Sequence, residues 1–226
     1  MYNEKLKFID LFCGIGGFRV AFENACEEND IQPECVFSSD IDKYAQDSYE
    51  ANFGERPAGD ITQIDEKDVP DHDILFGGFP CQPFSIIGQM KGMDDTRGTL
   101  FFDIARIIKE KKPKAFILEN VKQLVGHDGG KTLKVIVQSL TDIGYHVQYS
   151  VLNALDYGLP QKRERVVIVG HREPIMFTFP TPEKPYISLN KILEQEVDDK
   201  YFASDYIREK RKKKHKSSYY PSIWHE

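Results

Sequence analysis

No stretch of the 226-residue chain approaches the ~18 consecutive apolar residues that a membrane-crossing helix requires. The opening MYNEKLKFID holds no apolar signal region either. Cysteine is scarce: Cys13, Cys26, Cys35 and Cys81 form no CxxC pair and stand at no metal-like spacing from histidine. A disulfide framework and a structural metal are therefore not expected, and free thiols in a reducing compartment are. Internal repeats are lacking as well. These absences point to a cytoplasmic protein with no metal and no membrane partner. What remains, 40% hydrophobic and 29% charged residues, is ordinary globular composition, enough for one sizeable core with a small appendage.

The net charge of −6 argues mildly against a nucleic-acid partner, but its distribution does not. Residues 207–216, IREKRKKKHK, hold seven Lys or Arg against one Glu, leaving −12 for the rest. Such a block is either a solvated, mobile segment or a phosphate-binding stretch that displaces counterions from DNA or RNA.

Along the chain, apolar runs alternate with helical patterns. KFIDLF (7–12), ECVFSSD (34–40), HDILFGG (72–78), KAFILEN (114–120), YHVQYSVLNA (145–154) and RVVIVGH (165–171) read as strands. A further short strand is expected to end at Asp60 and Ile61. Helices are expected near 17–29, at 42–53, at 100–112 and at 132–144, the last closed by Gly144. This alternation predicts an α/β fold, a mostly parallel sheet with helices on both faces and binding loops at the strand carboxyl ends. The rhythm stops near 172, where FTFPTPEKPY begins a proline-rich and then basic tail, so residues 1–172 and 173–226 are expected to differ in role.

Four of the strand-end loops are chemically marked. DLFCGIGGF (10–18) carries Gly14, Gly16 and Gly17, but Arg19 stands where a dinucleotide fingerprint needs its third glycine. The turn is either simple packing or, with Asp40 at the end of the second strand, a site for a nucleoside cofactor without a pyrophosphate. Asp60 and Ile61 either line the base pocket or, in the case of Asp60, cap a turn.

FGGFPCQPFSI (76–86) sets Cys81 between two prolines. A buried structural thiol is the common fate of a free cysteine, but a strand-end loop is where sheets present catalytic groups. Position 87 is Ile, not the Arg of a phosphatase loop, and none of the six histidines lies in a comparably marked loop. ENV (119–121) places Glu119 at a strand end, as a cap or as a proton donor. QKRERVVIV (161–169) sets Arg163 and Arg165 on alternate residues, hence on one strand face, as surface charges or as pocket groups.

DLFCGIGG, GDI, GGFPCQPFS, ENV and QKRER, in this order from about Phe8 to Gly170, resemble the motifs of the C5-cytosine DNA methyltransferases of bacterial restriction–modification systems. The resemblance implies an S-adenosylmethionine-dependent methyltransferase (Rossmann-like) fold. It also implies methyl transfer from S-adenosyl-L-methionine to C5 of a cytosine flipped out of duplex DNA, releasing S-adenosyl-L-homocysteine. By the resemblance Cys81 attacks C6, Glu119 contacts and helps protonate N3, Arg165 holds the O2 side and Arg163 supports the pocket. Phe12, Ile15 and Gly17 would contact the methionine and adenosine parts. Asp40 would bind the ribose and Ile41, Asp60 and Ile61 the adenine, with Pro80 and Leu100 completing the methyl-donor pocket. Ser85 and Arg97 would contact DNA phosphates.

The family's target-recognition region follows QKRER, with two more motifs after it. Here only a proline-rich, basic beginning of that region is expected, with the last two motifs absent. A second polypeptide that supplies them, and a truncated remnant, both fit. A tRNA cytosine methyltransferase and a catalytically silent subunit that binds cofactor or DNA for a partner are the alternative readings.

Overall fold

The computed structural model describes residues 5–80, 100–182 and 186–214. Cys81, Ser85 and Arg97 lie outside the described residues. The chain divides into two compact units, one of Met1–Leu152 with Arg165–Phe179 and one of Asn153–Glu164 with Pro180–Glu226.

The first unit is built on a six-stranded sheet. Its strands are β1 (Leu6–Leu11), β2 (Pro33–Ser39), β3 (Ile74–Gly78), β4 (Ala115–Val121), β5 (His146–Asn153) and β6 (Glu164–His171), in the order β2-β1-β3-β4-β6-β5. β1 pairs in parallel with β2 and β3, and β3 with β4, whereas β6 runs antiparallel to β4. The mostly parallel sheet is as expected. The short strand expected near Asp60 is not formed: only a single bridge joins Ser39 to Ala58, and Ile61–Gln63 is a 3₁₀ turn capped by Asp60. One residue pair is too little for a ladder.

Alternation along the strands sends side chains to two faces, and each face has its helix. Phe8 and Phe76 meet Phe18 and Phe22 of α1 (Gly17–Glu28), with ring centroids 4.9 to 5.3 Å apart for Phe8–Phe22, Phe22–Phe76 and Phe18–Phe76. Ile9, Leu11 and Leu75 point the other way, into a core with Phe101, Ile104 and Ile108 of α3 (Leu100–Lys111). Gly77 permits this approach, since a Cβ there would lie 3.1 Å from Ile104.

Capping follows the sequence. Asp42 accepts bonds from the amides of Tyr44 and Ala45 to start α2 (Lys43–Phe53), and Gly54, with φ +72°, ends it. In α3, Asp103 sits in the first turn and Lys109 and Lys111 in the last, the arrangement the helix dipole favours. α4 (Lys131–Asp142) adds Leu133, Ile136 and Leu140 to the core. Among the described residues no helix is long and apolar enough to cross a membrane.

In the second unit, the 3₁₀ turns 154–157, 189–191 and 199–201 connect exposed chain. The Tyr157 hydroxyl donates to the Pro180 carbonyl at 2.8 Å. Much of the basic stretch lies in α5 (Asp205–Lys214), a helix not among those expected from the sequence. Lys, Arg and Glu are good helix formers, so a charged run is compatible with helix.

Candidate active site

In strand order the chain reverses direction of travel at β1: β2 lies on one side of it, β3 on the other. Crevices of open α/β sheets form at such switch points, beyond the strand carboxyl ends. A cavity of about 430 Å³ opens there, a size ordinary for a small-molecule site. Phe12 follows β1, Ser39, Asp40 and Ile41 come at and beyond the end of β2, and Gly78 and Pro80 stand at the end of β3. Gly59, Asp60, Ile61 and Thr62 form a further wall, and Leu100, the first residue of α3, closes the lining.

Seven of the nine residues expected at a cofactor thus line one cavity: Phe12, Asp40, Ile41, Asp60, Ile61, Pro80 and Leu100. Ile15 and Gly17 do not. Ile15 is 65% exposed on the glycine loop, and Gly17 begins α1. Ser39, Gly59, Thr62 and Gly78 were not anticipated. The glycines present backbone rather than side chain, and a wall made of backbone leaves little residue-type signal; the glycines of GDI and FGGFP were the hints.

The glycine loop is held from two sides. Asp40 Oδ2 accepts from the Gly14 amide at 2.8 Å, and its Oδ1 from the Asp42 amide at 2.9 Å. Asp40 therefore ties the loop after β1 to the loop after β2 while facing the cavity. Beneath the loop, Gly16 has φ +93°, and a Cβ there would overlap the Phe53 ring at the end of α2. Arg19, the residue that replaces the third fingerprint glycine, is buried above that ring with its guanidinium carbon 4.4 Å from the centroid. It bonds Glu23, Glu55 and the Tyr49 hydroxyl, at 2.8 Å for Glu23. Phe12 adopts φ +55°, unusual for a side chain of its size, at the cavity edge.

Asp10 lies under the same loop, fully buried, and among the described residues neither carboxylate oxygen has a hydrogen-bond partner. Burial raises its pKa to about 7, with the nearby Arg19 charge opposing the shift and Asp40 adding to it. A charged residue inside the apolar run KFIDLF was the sequence signal for it. Cys13 is also buried, and burial, reinforced by Asp10 and Asp40, pushes its thiol upward, away from nucleophilic use at neutral pH.

Beside the cavity, Glu119 Oε1 pairs with Arg165 Nε at 2.8 Å, both side chains about one quarter exposed. In the antiparallel ladder Val121 faces Arg165 and Glu119 faces Val167, which puts the carboxylate and guanidinium diagonally on one face. A Cβ on Gly78, a cavity residue, would stand 3.7 Å from Glu119 Oε2. Asn120 points to the other face, where its Nδ2 donates to the Phe79 carbonyl at 2.9 Å, one residue before Pro80. Sequence reading singled out the Glu of ENV and missed this Asn, whose bond fixes the chain at Phe79.

Arg163 is exposed in the second unit. Its amide donates to Asn153 Oδ1 at 3.1 Å, and its carbonyl accepts from the Ala154 amide. β6 begins at Glu164, so strand alternation does not extend to Arg163 as the sequence reading assumed.

Comparison with known proteins gives a consistent picture. A family described as C-5 cytosine-specific DNA methylase matches residues 6–224. The chain is 55% identical over 97% of its length to the type II methyltransferase M.NgoBI of Neisseria gonorrhoeae, and spans 68% of that protein. It is 55% identical over 99% of its length to M.HaeII of Haemophilus aegyptius, spanning 69% of it. In fold it is similar to the solved Entamoeba histolytica methyltransferase EhMeth, with TM-score 0.69, 23% identity, and coverage of 89% of this chain and 63% of that one. The chain belongs to the family of C-5 cytosine-specific DNA methylases.

Proposed function

We propose that the chain carries the catalytic and cofactor-binding part of an enzyme that methylates C5 of cytosine in a specific duplex DNA sequence, serving restriction–modification. The observation that carries this reading is the placement of three things at one sheet edge: the switch-point cavity, the Glu119–Arg165 pair beside Gly78, and Pro80, whose next residue in the chain is Cys81.

The residues present suit S-adenosyl-L-methionine. Phe12, Ile41 and Ile61 offer apolar surface to an adenine, and the carboxylates of Asp40 and Asp60 offer acceptors to hydroxyl and amino groups. Among the described residues the cavity lining holds no basic group, and Arg19 stands where the third fingerprint glycine would serve a pyrophosphate, consistent with a nucleoside carrier. When bound, that cofactor supplies an electrophilic methyl group on sulfur.

The chain's own residues supply the rest. The Cys81 thiolate adds to C6 of the extruded cytosine, forming a C–S bond and pushing the ring electrons toward N3 and C5. Glu119 faces N3 as the acid, so that charge does not accumulate on the ring. Arg165, paired with Glu119 at 2.8 Å, bonds the O2 side. C5, now electron-rich, is the nucleophile to which the bound cofactor would supply its methyl group, leaving S-adenosyl-L-homocysteine. Loss of the C5 proton to water and return of the N3 proton to Glu119 then re-form the C5–C6 double bond and expel the cysteine thiolate. Ser85 and Arg97 contact the DNA backbone around the target, and the basic stretch 207–216 adds sequence-independent attraction.

The test is transfer of a tritiated methyl group to duplex DNA and to tRNA. It is run with the chain alone and with the remaining third of a relative supplied as a second polypeptide. Transfer to duplex DNA is expected in the complemented arm and negligible transfer from the chain alone. Duplexes with 5-fluorocytosine at the target should trap a covalent adduct that Cys81→Ser does not form. Transfer to tRNA only, or an adduct that survives Cys81→Ser, would overturn the assignment.

A further inference from the structure

The wall formed by Asp60, Ile61 and Thr62 has no strand to hold it, since the expected ladder is reduced to the single Ser39–Ala58 bridge. It is instead gripped from behind by one side chain. Arg106, on α3, donates from Nη2 to the Ile61 carbonyl at 2.8 Å, from Nη1 to Glu66 Oε2 at 2.8 Å, and from Nε to Asp103 Oδ1 at 3.0 Å. Ile61 is buried and lines the cavity, and Leu100, at the start of the same helix, lines it from another direction. α3 therefore presents one residue to the cavity and another to the back of its wall.

The same contact gathers charge. Asp103 is held up in pKa by burial, countered by Arg106, and Asp60 and Glu66 raise it further. Without the guanidinium, Asp103 and Glu66 lose the cation that bridges them behind the wall, and the nearby charge of Asp60 adds to their repulsion. A second clamp from α3 gives a natural comparison: Lys111 Nζ donates to the Lys67 carbonyl at 3.0 Å and pairs with Asp71 at 3.4 Å. It fastens the same connecting segment, at residues that do not line the cavity.

We infer that Arg106 is a positioning residue for the cofactor: its three-way fork sets the Asp60–Thr62 wall at the distance at which it grips the nucleoside. This rests on the reading of the cavity as the cofactor site. A planar fork with several fixed donors can do this where a single ammonium cannot, so Arg106→Lys should restore only part of the effect.

The experiment is calorimetric binding of S-adenosyl-L-homocysteine to the full chain, with thermal unfolding measured alongside. Arg106→Ala is expected to weaken binding about tenfold or more, the scale of a lost charge-assisted bond, and Arg106→Lys by less. Lys111→Ala should lower thermal stability while leaving affinity within about twofold, because it fastens the segment away from the wall. Arg106 also lines an open surface groove of about 600 Å³ with Lys109 and Lys112, so millimolar guanidinium should reach the vacated position and recover affinity in Arg106→Ala.

Wild-type affinity with Arg106→Ala, or equal weakening by Lys111→Ala, would overturn the inference and leave the cavity reading standing. Ile41→Trp, at an exposed cavity residue, separates the two readings. If wild type does not bind, or Ile41→Trp binds as wild type does, the cavity reading fails and the inference fails with it.

Discussion

Replacing Asp10 by asparagine should stabilise the protein at alkaline pH relative to acidic pH. In the folded chain its pKa stands at about 7, against 3.8 for an unperturbed carboxyl. Between those values the native state holds a proton that the unfolded state has released, so stability falls as pH rises through this window. Above about pH 7 the native carboxylate is charged and the penalty is complete. A displacement of about 3 pKa units corresponds to about 4 kcal/mol, at 1.36 kcal/mol per unit. Asparagine removes the titration and keeps the shape. Its own buried amide adds an offset, but one that does not vary with pH.

The quantity to measure is therefore the wild-type-to-variant difference in unfolding free energy from urea titrations at about pH 5 and about pH 8. The gap should move in favour of the variant by about 2.7 kcal/mol, because some two pKa units of the window lie above pH 5. An unchanged gap would refute the reasoning, and would mean that Asp10 is paired in solution. A stabilised variant with weakened cofactor binding would show that the buried charge is retained for function at a cost in stability.

Three further outcomes are expected. Glu119→Gln in the complemented enzyme should lower single-turnover methyl transfer by about 10²–10⁴ while S-adenosyl-L-homocysteine affinity stays near wild type; near-normal turnover would leave Glu119 as a partner for Arg165 and nothing more. Gly16→Ala forces a methyl into the Phe53 ring at positive φ and should cost about 1–3 kcal/mol in urea unfolding, with weaker cofactor binding because Phe12 sits on the same loop. Neutralising the lysines and arginines of 207–216 should weaken duplex binding uniformly across sequences and flatten its dependence on salt; a change in sequence preference instead would place base contacts in that segment.

The strands were legible because most are buried apolar runs, and the α3 and α4 helices because their apolar residues recur at helical spacing. The order of the sheet was not. That β6 runs antiparallel beside β4 is a matter of which edges meet, and the apolar run VVIV looks the same in either direction. At the proposed site, several of the expected side chains stood out by position: Asp40 just beyond β2, Asp60 and Ile61 at the start of a 3₁₀ turn, and Glu119 near the end of β4. Residues that act through backbone or from behind did not. Gly59 and Gly78 contribute only main chain to the cavity, and Arg106 reads as one more polar position on an amphipathic helix. Arg19 was visible only as a missing glycine, because a charge on a helix signals solvent unless its partners, here Tyr49, Phe53 and Glu55, are known to converge.

The path of the chain through its two units bears on how such genes can be recombined. The backbone leaves the first unit after Leu152, returns at Arg165 and leaves again after Phe179. A single crossover near residue 180 exchanges everything downstream and keeps all six strands, Glu119 and Arg165 from one parent. A crossover near residue 153 brings β6 from the other parent, so the ladder with β4 and the Glu119–Arg165 pair must be rebuilt from sequences that never evolved together. Shuffled genes should therefore survive with joints just beyond Phe179 far more often than with joints between β5 and β6, which makes the later segment the natural unit of exchange.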